Sequence, residues 1–163
     1  MKTLYIIRHA KSSWDFPLLS DEERPLLEKG IRRTLKSIHF LKQQNVFPDL
    51  MISSHAKRAF ETTLLMAKGL DYPVEKIITE PAFYTNSAEE MIDFIFGLPD
   101  DKQHVFMVGH NPAFTNLVNE FLSDKIDFLP TSAIVAISFD VDNWNEIIGS
   151  KHKLVFTVYP KKL

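Results

Sequence analysis

Short apolar runs separated by stretches of helical character are the feature that most constrains the fold of this chain. The runs are rich in Val, Ile and Leu, which is typical of strands buried on both faces. They lie at Leu4–Ile7, Leu50–Ile52, Ile77–Ile78, Val105–Val108, Ala133–Phe139 and Leu154–Val158. Strands that alternate with helices indicate a sheet covered by helices on both sides. We therefore predict an α/β fold, a three-layer α/β/α sandwich whose mostly parallel central sheet has about six strands.

Several segments between these runs have the periodicity or the end signals of helices. The first has a predicted core-facing stripe that recurs every three or four residues: Leu27, Ile31, Leu35, Ile38 and Leu41. The others lie around Ala59–Ala67, from the capping-box sequence Ser87–Glu90 to Leu98, and from Pro112 to Phe121. The last two strands have little helix between them, so we expect one of them to run antiparallel at an edge of the sheet. Phe121 and Phe128 are predicted to lie in the core.

Length and composition narrow the class of protein. The chain has 163 residues, and we expect residues 1–163 to form one domain. Its formal net charge of -2 gives no electrostatic reason to expect a nucleic acid or a membrane as partner. No apolar run approaches the roughly 20 residues that span a bilayer, and no signal-like segment follows Met1, so we expect a cytoplasmic protein. The absence of cysteine excludes disulfides, zinc–thiolate sites and cysteine-dependent phosphatase chemistry.

Basic and imidazole side chains follow three of the predicted strands. Arg8 and His9 come directly after the first, Arg58 lies just past the second, and His110 follows the fourth. Because the carboxyl ends of parallel strands meet at one edge of a sheet, we expect these side chains to gather there. Lys11 lies close to them in sequence, either as an anion-attracting residue at the rim or as an ordinary solvated lysine.

These residue types together suit the transfer of a phosphoryl group. The planar guanidinium of arginine captures phosphate oxygens in pairs, and two arginines neutralise most of the charge of a phosphate dianion. A neutral imidazole is a nucleophile toward phosphorus, and a second, protonated imidazole stabilises the charge of the transition state. The neighbouring cations disfavour protonation of His9, so we expect His9 to be neutral near neutrality. This chemistry requires no metal and no organic cofactor, and we expect neither.

Three motifs that follow one another along the chain resemble those of the histidine phosphatase superfamily, which is also called phosphoglycerate-mutase-like. Arg8-His9-Ala10 is similar to its Arg-His-Gly motif, with alanine in place of the usual glycine. Ser53–Thr62 is similar to the second motif, in which an arginine precedes Ala-x-x-Thr, and Gly109–Pro112 resembles the last. Within the superfamily, Arg24-Pro25-Leu26 followed by Gly30, together with Thr131–Ile134, resembles the compact phosphohistidine phosphatases of the SixA type.

The resemblance implies a role for each matching residue. His9 is the expected nucleophile, and Arg8, Arg58 and His110 complete the phosphate pocket. Ser12 matches a pocket-lining position of the extended first motif, Arg-His-x-x-Ser-x-Trp, in which Trp14 is in register. Arg24 is expected to supply a further cation to the substrate, with Asp21 orienting it.

The proton donor is the least defined part of the predicted site. Acid phosphatases of the superfamily carry an aspartate directly after the last histidine, but this chain has Asn111 there, which we take as a substrate-binding candidate. Glu80 is the nearest candidate for a donor. A phosphoramidate nitrogen is protonated before or during P–N cleavage, so its hydrolysis needs a positioned acid less than hydrolysis of an alkyl phosphate does. A site poor in acids therefore favours phosphohistidine as substrate.

Three functions are compatible with these residues. The favoured one is hydrolysis of phosphohistidine on a protein, such as the histidine domain of a phosphorelay, through a phosphorylated His9. The second is a broad phosphatase of small phosphate esters with the same mechanism. The third is a docking module that binds phosphate without catalysis. Elsewhere in the chain, His55 is expected to face solvent, and Lys151, Lys153, Lys161 and Lys162 are expected to be ordinary surface charges.

Overall fold

The computed structural model describes residues 1–13, 19–85 and 87–163. Its strands are β1 (Lys2–Arg8), β2 (Leu50–Ser53), β3 (Ile78–Thr79), β4 (His104–Gly109), β5 (Ile134–Phe139) and β6 (His152–Val158). They form one six-stranded sheet in the order β3-β2-β4-β1-β5-β6. Each predicted strand is confirmed, with ends that differ by no more than two residues.

The direction of the strands follows from how the chain returns to the sheet. β1 and β2 each pair in parallel with β4, and β3 pairs in parallel with β2. The chain enters β5 beside the end of β1, where the backbone N–H of Arg8 donates to Ala133 O. β5 then runs back along β1 and is antiparallel to it. The predicted antiparallel strand therefore exists, but the prediction that it lies at an edge is wrong. β5 lies between β1 and β6, and the edge strand β6 pairs antiparallel with it and so runs in the same direction as β1.

Five helices connect the strands. They are α1 (Glu28–Gln43), α2 (Lys57–Gly69), α3 (Ala82–Thr85), α4 (Ala88–Phe96) and α5 (Ala113–Asn119), with short 3₁₀ turns at Asp21–Glu23, Val74–Lys76, Trp144–Glu146 and Pro160–Lys162. The predicted cap of α4 is present, because Ser87 Oγ accepts a hydrogen bond from the backbone N–H of Glu90 at 3.3 Å. The one-turn helix α3 was not predicted from the sequence.

The helices cover both faces of the sheet, which confirms the three-layer fold. One face packs against α1 and α2 in a core that includes Tyr5, Ile7 and Val108 from the strands. The other face packs against α4 and α5 in a larger core that includes Leu4 and Ile6. Alternate residues of β1 thus enter opposite cores, which is why the sequence of this strand is apolar throughout.

Two of the predicted core positions are wrong. Leu35 is 51% exposed and Phe128 is 61% exposed. The buried face of α1 is displaced from the predicted stripe because Thr34 and Ser37 both contact Ser132 by hydrogen bonds. Small polar residues that approach the backbone closely therefore take the place expected for leucine, and hydrophobic periodicity alone does not reveal such a contact.

Gly30 is required where α1 crosses the loop after β1. A Cβ at this position would lie against Lys11 O and 2.9 Å from Lys11 N. We expect Gly30→Ala to lower the free energy of unfolding by about 1–3 kcal/mol, although alanine is the better helix former. Urea unfolding measures the effect.

Gly97→Ala is the matched control for this substitution. The nearest atom to an added Cβ at Gly97 is Phe94 O, at an ordinary 3.5 Å. We expect this variant to be as stable as the wild type or slightly more stable. Equal stability of the Gly30→Ala and Gly97→Ala variants would contradict the close approach of α1 to Lys11.

Candidate active site

A cavity of about 490 Å³ opens at the edge of the sheet where β1, β2 and β4 end. It is lined by Arg8, His9, Lys11, Ser12, Arg24, Leu27, Arg58, His110, Asn111 and Thr131. His9 directly follows β1, His110 directly follows β4, and Arg58 lies in the first turn of α2 after β2. The structure thus brings together seven of the eight residues predicted for the site, and Glu80 is not among the lining residues.

His9 is held so that one defined ring nitrogen remains for chemistry. Its Nδ1 lies 2.7 Å from Ala10 O, and because a carbonyl only accepts, Nδ1 carries the proton and Nε2 carries the lone pair. The Ala10 backbone N–H in turn donates to Thr62 Oγ1 at 2.9 Å. The threonine of the second motif therefore fixes the loop that presents the imidazole.

The environment of His9 keeps the ring neutral. The side chain is 7% exposed, and burial, followed by the charges of Arg58 and Arg8, lowers its pKa to about 3. The sequence predicted a neutral His9 from the neighbouring cations alone, whereas burial is the larger cause. Nε2 is therefore unprotonated near neutrality.

His110 differs from His9 in that a hydroxyl, not a carbonyl, is the hydrogen-bond partner of its ring. Its Nε2 lies 2.8 Å from Ser54 Oγ, and that hydroxyl already accepts a hydrogen bond from the backbone N–H of Ala56. A hydroxyl has two acceptor lone pairs and one proton, so Ser54 can also donate to His110 Nε2, and in that arrangement the ring proton of His110 is on Nδ1. Within the described ranges, this buried Nδ1 has no hydrogen-bond partner.

The environment of His110 also favours a neutral ring. Burial, followed by the influence of His9, lowers the pKa of His110 to about 3. The two rings lie 5.0 Å apart, between centroids, so a charge on one disfavours a charge on the other. The neutral ring nevertheless retains one N–H donor.

The two arginines are anchored at one side of the guanidinium. Arg8 Nη1 donates to Leu129 O at 3.1 Å, and Arg58 donates through Nη1 to Asp21 O at 2.6 Å and through Nη2 to Asp21 Oδ2 at 3.0 Å. The buried Nε atoms of Arg8 and Arg58 have no partner in the part of the chain that the structure describes. Burial, followed by the charge of Arg58, lowers the pKa of Arg8 from its usual value. The pocket therefore holds concentrated, partly unsatisfied positive charge.

Asp21 organises these cations. Its Oδ1 accepts from Arg24 Nη1 at 2.8 Å, so the predicted pair forms, and its other oxygen accepts from Arg58 and from the Tyr84 hydroxyl. The Tyr84 hydrogen bond, together with Arg24 and Arg58, holds the pKa of Asp21 well below its usual range. Arg24 also donates through Nη2 to Ser12 Oγ at 2.7 Å, which connects two predicted lining residues.

Tyr84 is the residue of the site that sequence reasoning missed. Besides its bond to Asp21, its ring stands edge-on to the His110 ring at 5.2 Å, and Arg58 Cζ lies 5.8 Å from its centroid. Tyr84 lies in the unpredicted helix α3, and a lone tyrosine carries no pattern by which to find it. His55, which is exposed as predicted, contacts the same ring at 5.4 Å and Glu22 at 2.8 Å.

Two other predicted residues have structural contacts of their own. Asn111 donates through Nδ2 to Leu129 O at 2.9 Å and accepts at Oδ1 from Thr115, so its amide holds the neighbouring loop. Glu80 Oε1 accepts from the Ala82 backbone N–H at 3.1 Å, at the start of α3. Trp14 lies outside the described residues.

Two kinds of feature are absent from the described ranges. No helix there is long and apolar enough to cross a bilayer. The same ranges contain no group of three or more His, Cys, Asp or Glu side chains that could hold a metal ion.

Comparison with known proteins places the chain in a family. Residues 4–83 match the family model of the histidine phosphatase superfamily, branch 1, and this segment includes Arg8, His9 and Arg58. This match covers just under half of the chain and supports membership of the histidine phosphatase superfamily. Membership of this superfamily supports a phosphatase activity.

The relatives of this superfamily member agree with the fold. An uncharacterized chloroplastic protein of Arabidopsis thaliana is 28% identical over 154 residues, which are 89% of this chain and 70% of that protein. A structure of the protein histidine phosphatase SixA complexed with tungstate is 21% identical, with a TM-score of 0.82 and 98% of both chains covered. A SixA structure from Agrobacterium tumefaciens is 22% identical, with a TM-score of 0.83 and 98% of both chains covered. The predicted α/β class is thereby confirmed.

The low pKa values of the two histidines make stability depend on pH. The unfolded chain protonates His9 and His110 near their ordinary pKa of about 6.5, but the folded protein does so only near pH 3. Between these values the unfolded state binds more protons, so stability falls as the pH falls. We expect the free energy of unfolding of the double variant His9→Asn/His110→Asn to depend less on pH. For each histidine replaced, the slope should be smaller by up to about 1.4 kcal/mol per pH unit.

Urea unfolding at several pH values measures this slope. The variant His39→Asn, at an exposed position of α1, controls for the loss of a histidine as such. Equal slopes for the wild type and the double variant would contradict the buried, neutral state of the two rings.

Proposed function

We propose that the protein hydrolyses phosphohistidine on a protein substrate, with His9 as the nucleophile. The observation that carries this proposal is the fixed tautomer of His9, whose Nδ1–H is bonded to Ala10 O so that the lone pair is on Nε2. His9 lines a cavity together with Arg8, Arg58 and His110. A neutral imidazole among cationic donors is suited to attack a phosphoryl group.

The reaction proceeds in two displacements. In the first, the Nε2 lone pair of His9 forms a bond to phosphorus, the P–N bond to the substrate imidazole breaks, and that imidazole leaves with a proton from solvent. In the second, water attacks phosphorus, the bond to His9 breaks, and inorganic phosphate leaves with His9 again neutral. Arg8, Arg58 and the Nδ1–H of His110 donate to the oxygens of the transferring group in both steps.

Asp21 and Tyr84 act on this reaction by positioning the cations. The carboxylate takes one side of Arg58 and directs Arg24 toward Ser12. Tyr84 donates to the same carboxylate and packs against His110, which limits the freedom of both groups. Donors oriented before the substrate binds do not need to reorganise in the transition state.

The shortage of proton donors supports phosphohistidine over an alkyl phosphate. The described residues that line the cavity include no Asp or Glu, and Asn111 stands where a donor is expected in acid phosphatases. An imidazole leaving group protonates readily and so depends less on a positioned acid. Tungstate, bound by the similar SixA structure, is a tetrahedral oxyanion like phosphate, which agrees with an oxyanion site in this fold.

The first test compares a phosphohistidine protein with a small aryl phosphate as substrates. We expect the wild type to prefer the phosphohistidine protein in the presence of a metal chelator, and we expect His9→Ala to release no phosphate from either substrate. Phosphate release measures both reactions. Equal or faster turnover of the aryl phosphate would move the function to a general phosphatase with the same nucleophile.

The same experiment includes a trap for the covalent intermediate. Rapid quenching in alkali should preserve a phosphoenzyme that acid then destroys, because a P–N bond is labile to acid. An acid-stable adduct would place the phosphate on another residue. Binding of phosphate that survives His9→Ala, with no turnover in the wild type, would favour the docking module instead.

Arg58→Ala tests the phosphate pocket itself. By analogy with the loss of one transition-state donor, we expect Arg58→Ala to lose about 3–4 kcal/mol of transition-state stabilisation, and kcat/KM to fall by the corresponding factor. Arg32→Ala removes an exposed arginine of α1 that pairs with Glu28, and it serves as the control with unchanged kcat/KM. An Arg58→Ala enzyme within about threefold of the wild type would remove Arg58 from the reaction.

A further inference from the structure

A second groove, of about 600 Å³, adjoins the phosphate cavity. The two share Arg8 and Thr131 as lining residues. From there the groove lies between the loop at residues 125–131 and the 3₁₀ turn Pro160–Lys162. It therefore starts at a residue of the phosphate site and continues away from that site across the surface.

The charge of this groove differs from that of the protein as a whole. Lysine or arginine side chains reach it from four separate elements, namely Arg8 from β1, Arg33 from α1, Lys125 from the loop after α5, and Lys161 and Lys162 from the 3₁₀ turn. Asp127 is the single acidic side chain among the described residues that line it. In a chain with a formal net charge of -2, such a concentration of cations gives this face a local potential that attracts anions.

The loop beside the groove presents an aromatic side chain on a fixed backbone. Phe128 is 61% exposed and lines the groove. The next residue, Leu129, is held by hydrogen bonds from Arg8 Nη1 and Asn111 Nδ2 to its carbonyl, and its N–H donates to Thr115 Oγ1 at 2.9 Å. An exposed aromatic ring on a backbone that is already ordered binds a partner with little loss of conformational freedom.

A single exposed phenylalanine is ordinary on a protein surface, and so are scattered lysines. Here the ring, the cations and the phosphate cavity are continuous, and the loop that carries Phe128 is bonded to Arg8 itself. A small phosphate ester that fills the cavity would leave the groove unused. A protein segment that carries the phosphorylated side chain would extend along it.

We propose that this groove docks an acidic segment of the protein that carries the phosphohistidine, with Phe128 in contact with an apolar side chain beside it. The proposal rests on the proposed function, because it assumes that the phosphoryl group is delivered on a protein. Docking places the phosphorylated imidazole in the cavity, while Lys161 and Lys162 pair with carboxylates of the segment. The groove selects substrates and takes no part in the chemical steps.

The test uses two synthetic peptides of equal length, each with one central phosphohistidine. One has Asp and Glu at the flanking positions and the other has Ser and Gln, and both have one Leu near the phosphohistidine. Free phosphohistidine serves as a substrate with the same P–N bond and no flanks. At low ionic strength we expect kcat/KM of the wild type to be about tenfold higher for the acidic peptide, and we expect salt to reduce the difference.

The variant Lys161→Glu/Lys162→Glu should abolish the preference for the acidic peptide and leave kcat/KM for free phosphohistidine unchanged. The matched control is Lys151→Glu/Lys153→Glu, which changes the net charge equally at exposed positions. Lys153 pairs with Ser138 at one end of the β5–β6 ladder, whereas Val158, close to the groove, pairs with Ile134 at the other end. An equal loss of preference in this control would overturn the proposal, because it would show an effect of net charge alone.

Phe128→Ser tests the aromatic contact separately. Because the side chain is exposed, we expect the fold to be retained, kcat/KM to fall severalfold for both peptides, and the rate for free phosphohistidine to be unchanged. Equal kcat/KM of the wild type for both peptides would overturn docking while the proposed function stands. Hydrolysis of the aryl phosphate without hydrolysis of any phosphohistidine substrate would overturn the proposed function and docking with it.

Discussion

The parallel register of β1 and β4 is the constraint on which the site depends. Arg8 lies opposite Gly109, so His9 and His110 each leave the sheet one residue later, with ring centroids 5.0 Å apart. The backbone N–H of His9 donates to Gly109 O at 3.1 Å, which extends the pairing to the histidine itself. A Cβ at Gly109 would collide with the Phe114 ring, so the close packing of α5 under this strand end requires a glycine. A shift of the register by one residue would point one ring away from the other.

The electrostatics of the site combine neutral rings with concentrated cations. Burial keeps His9 and His110 uncharged. The carboxylate of Asp21 forms ion pairs with Arg24 and Arg58, but Asp21 is not one of the described residues that line the cavity. Buried donors of Arg8, Arg58 and His110 lack partners in the described ranges, and buried donors without partners destabilise a folded protein. Part of the folding free energy is thus given up for a site organised before the substrate binds.

Much of the fold and most of the site were predictable from local sequence. Buried strands appear as apolar runs, and the rule that ligands lie at the carboxyl ends of parallel strands is enough to bring Arg8, His9 and His110 together. The errors have a common cause. Leu35 and Phe128 are apolar residues that are exposed because their neighbours make the contacts with the rest of the protein. Tyr84 reaches the site from a one-turn helix through its contact with Asp21. In each case the position of the side chain depends on a contact with a residue distant in sequence.

The sequence by itself determined the class of fold, the order of the motifs and the residue types at the strand ends, because periodicity and short motifs are local properties. Only the tertiary structure decided which nitrogen of His9 carries the proton, that burial lowers the pKa of both imidazoles, and that Asp21 joins two arginines and a tyrosine. It also decided that the groove beside Phe128 adjoins the cavity lined by His9 and His110. These properties depend on distance, burial and hydrogen-bond geometry between segments far apart in the chain, and such quantities exist only once the chain has folded.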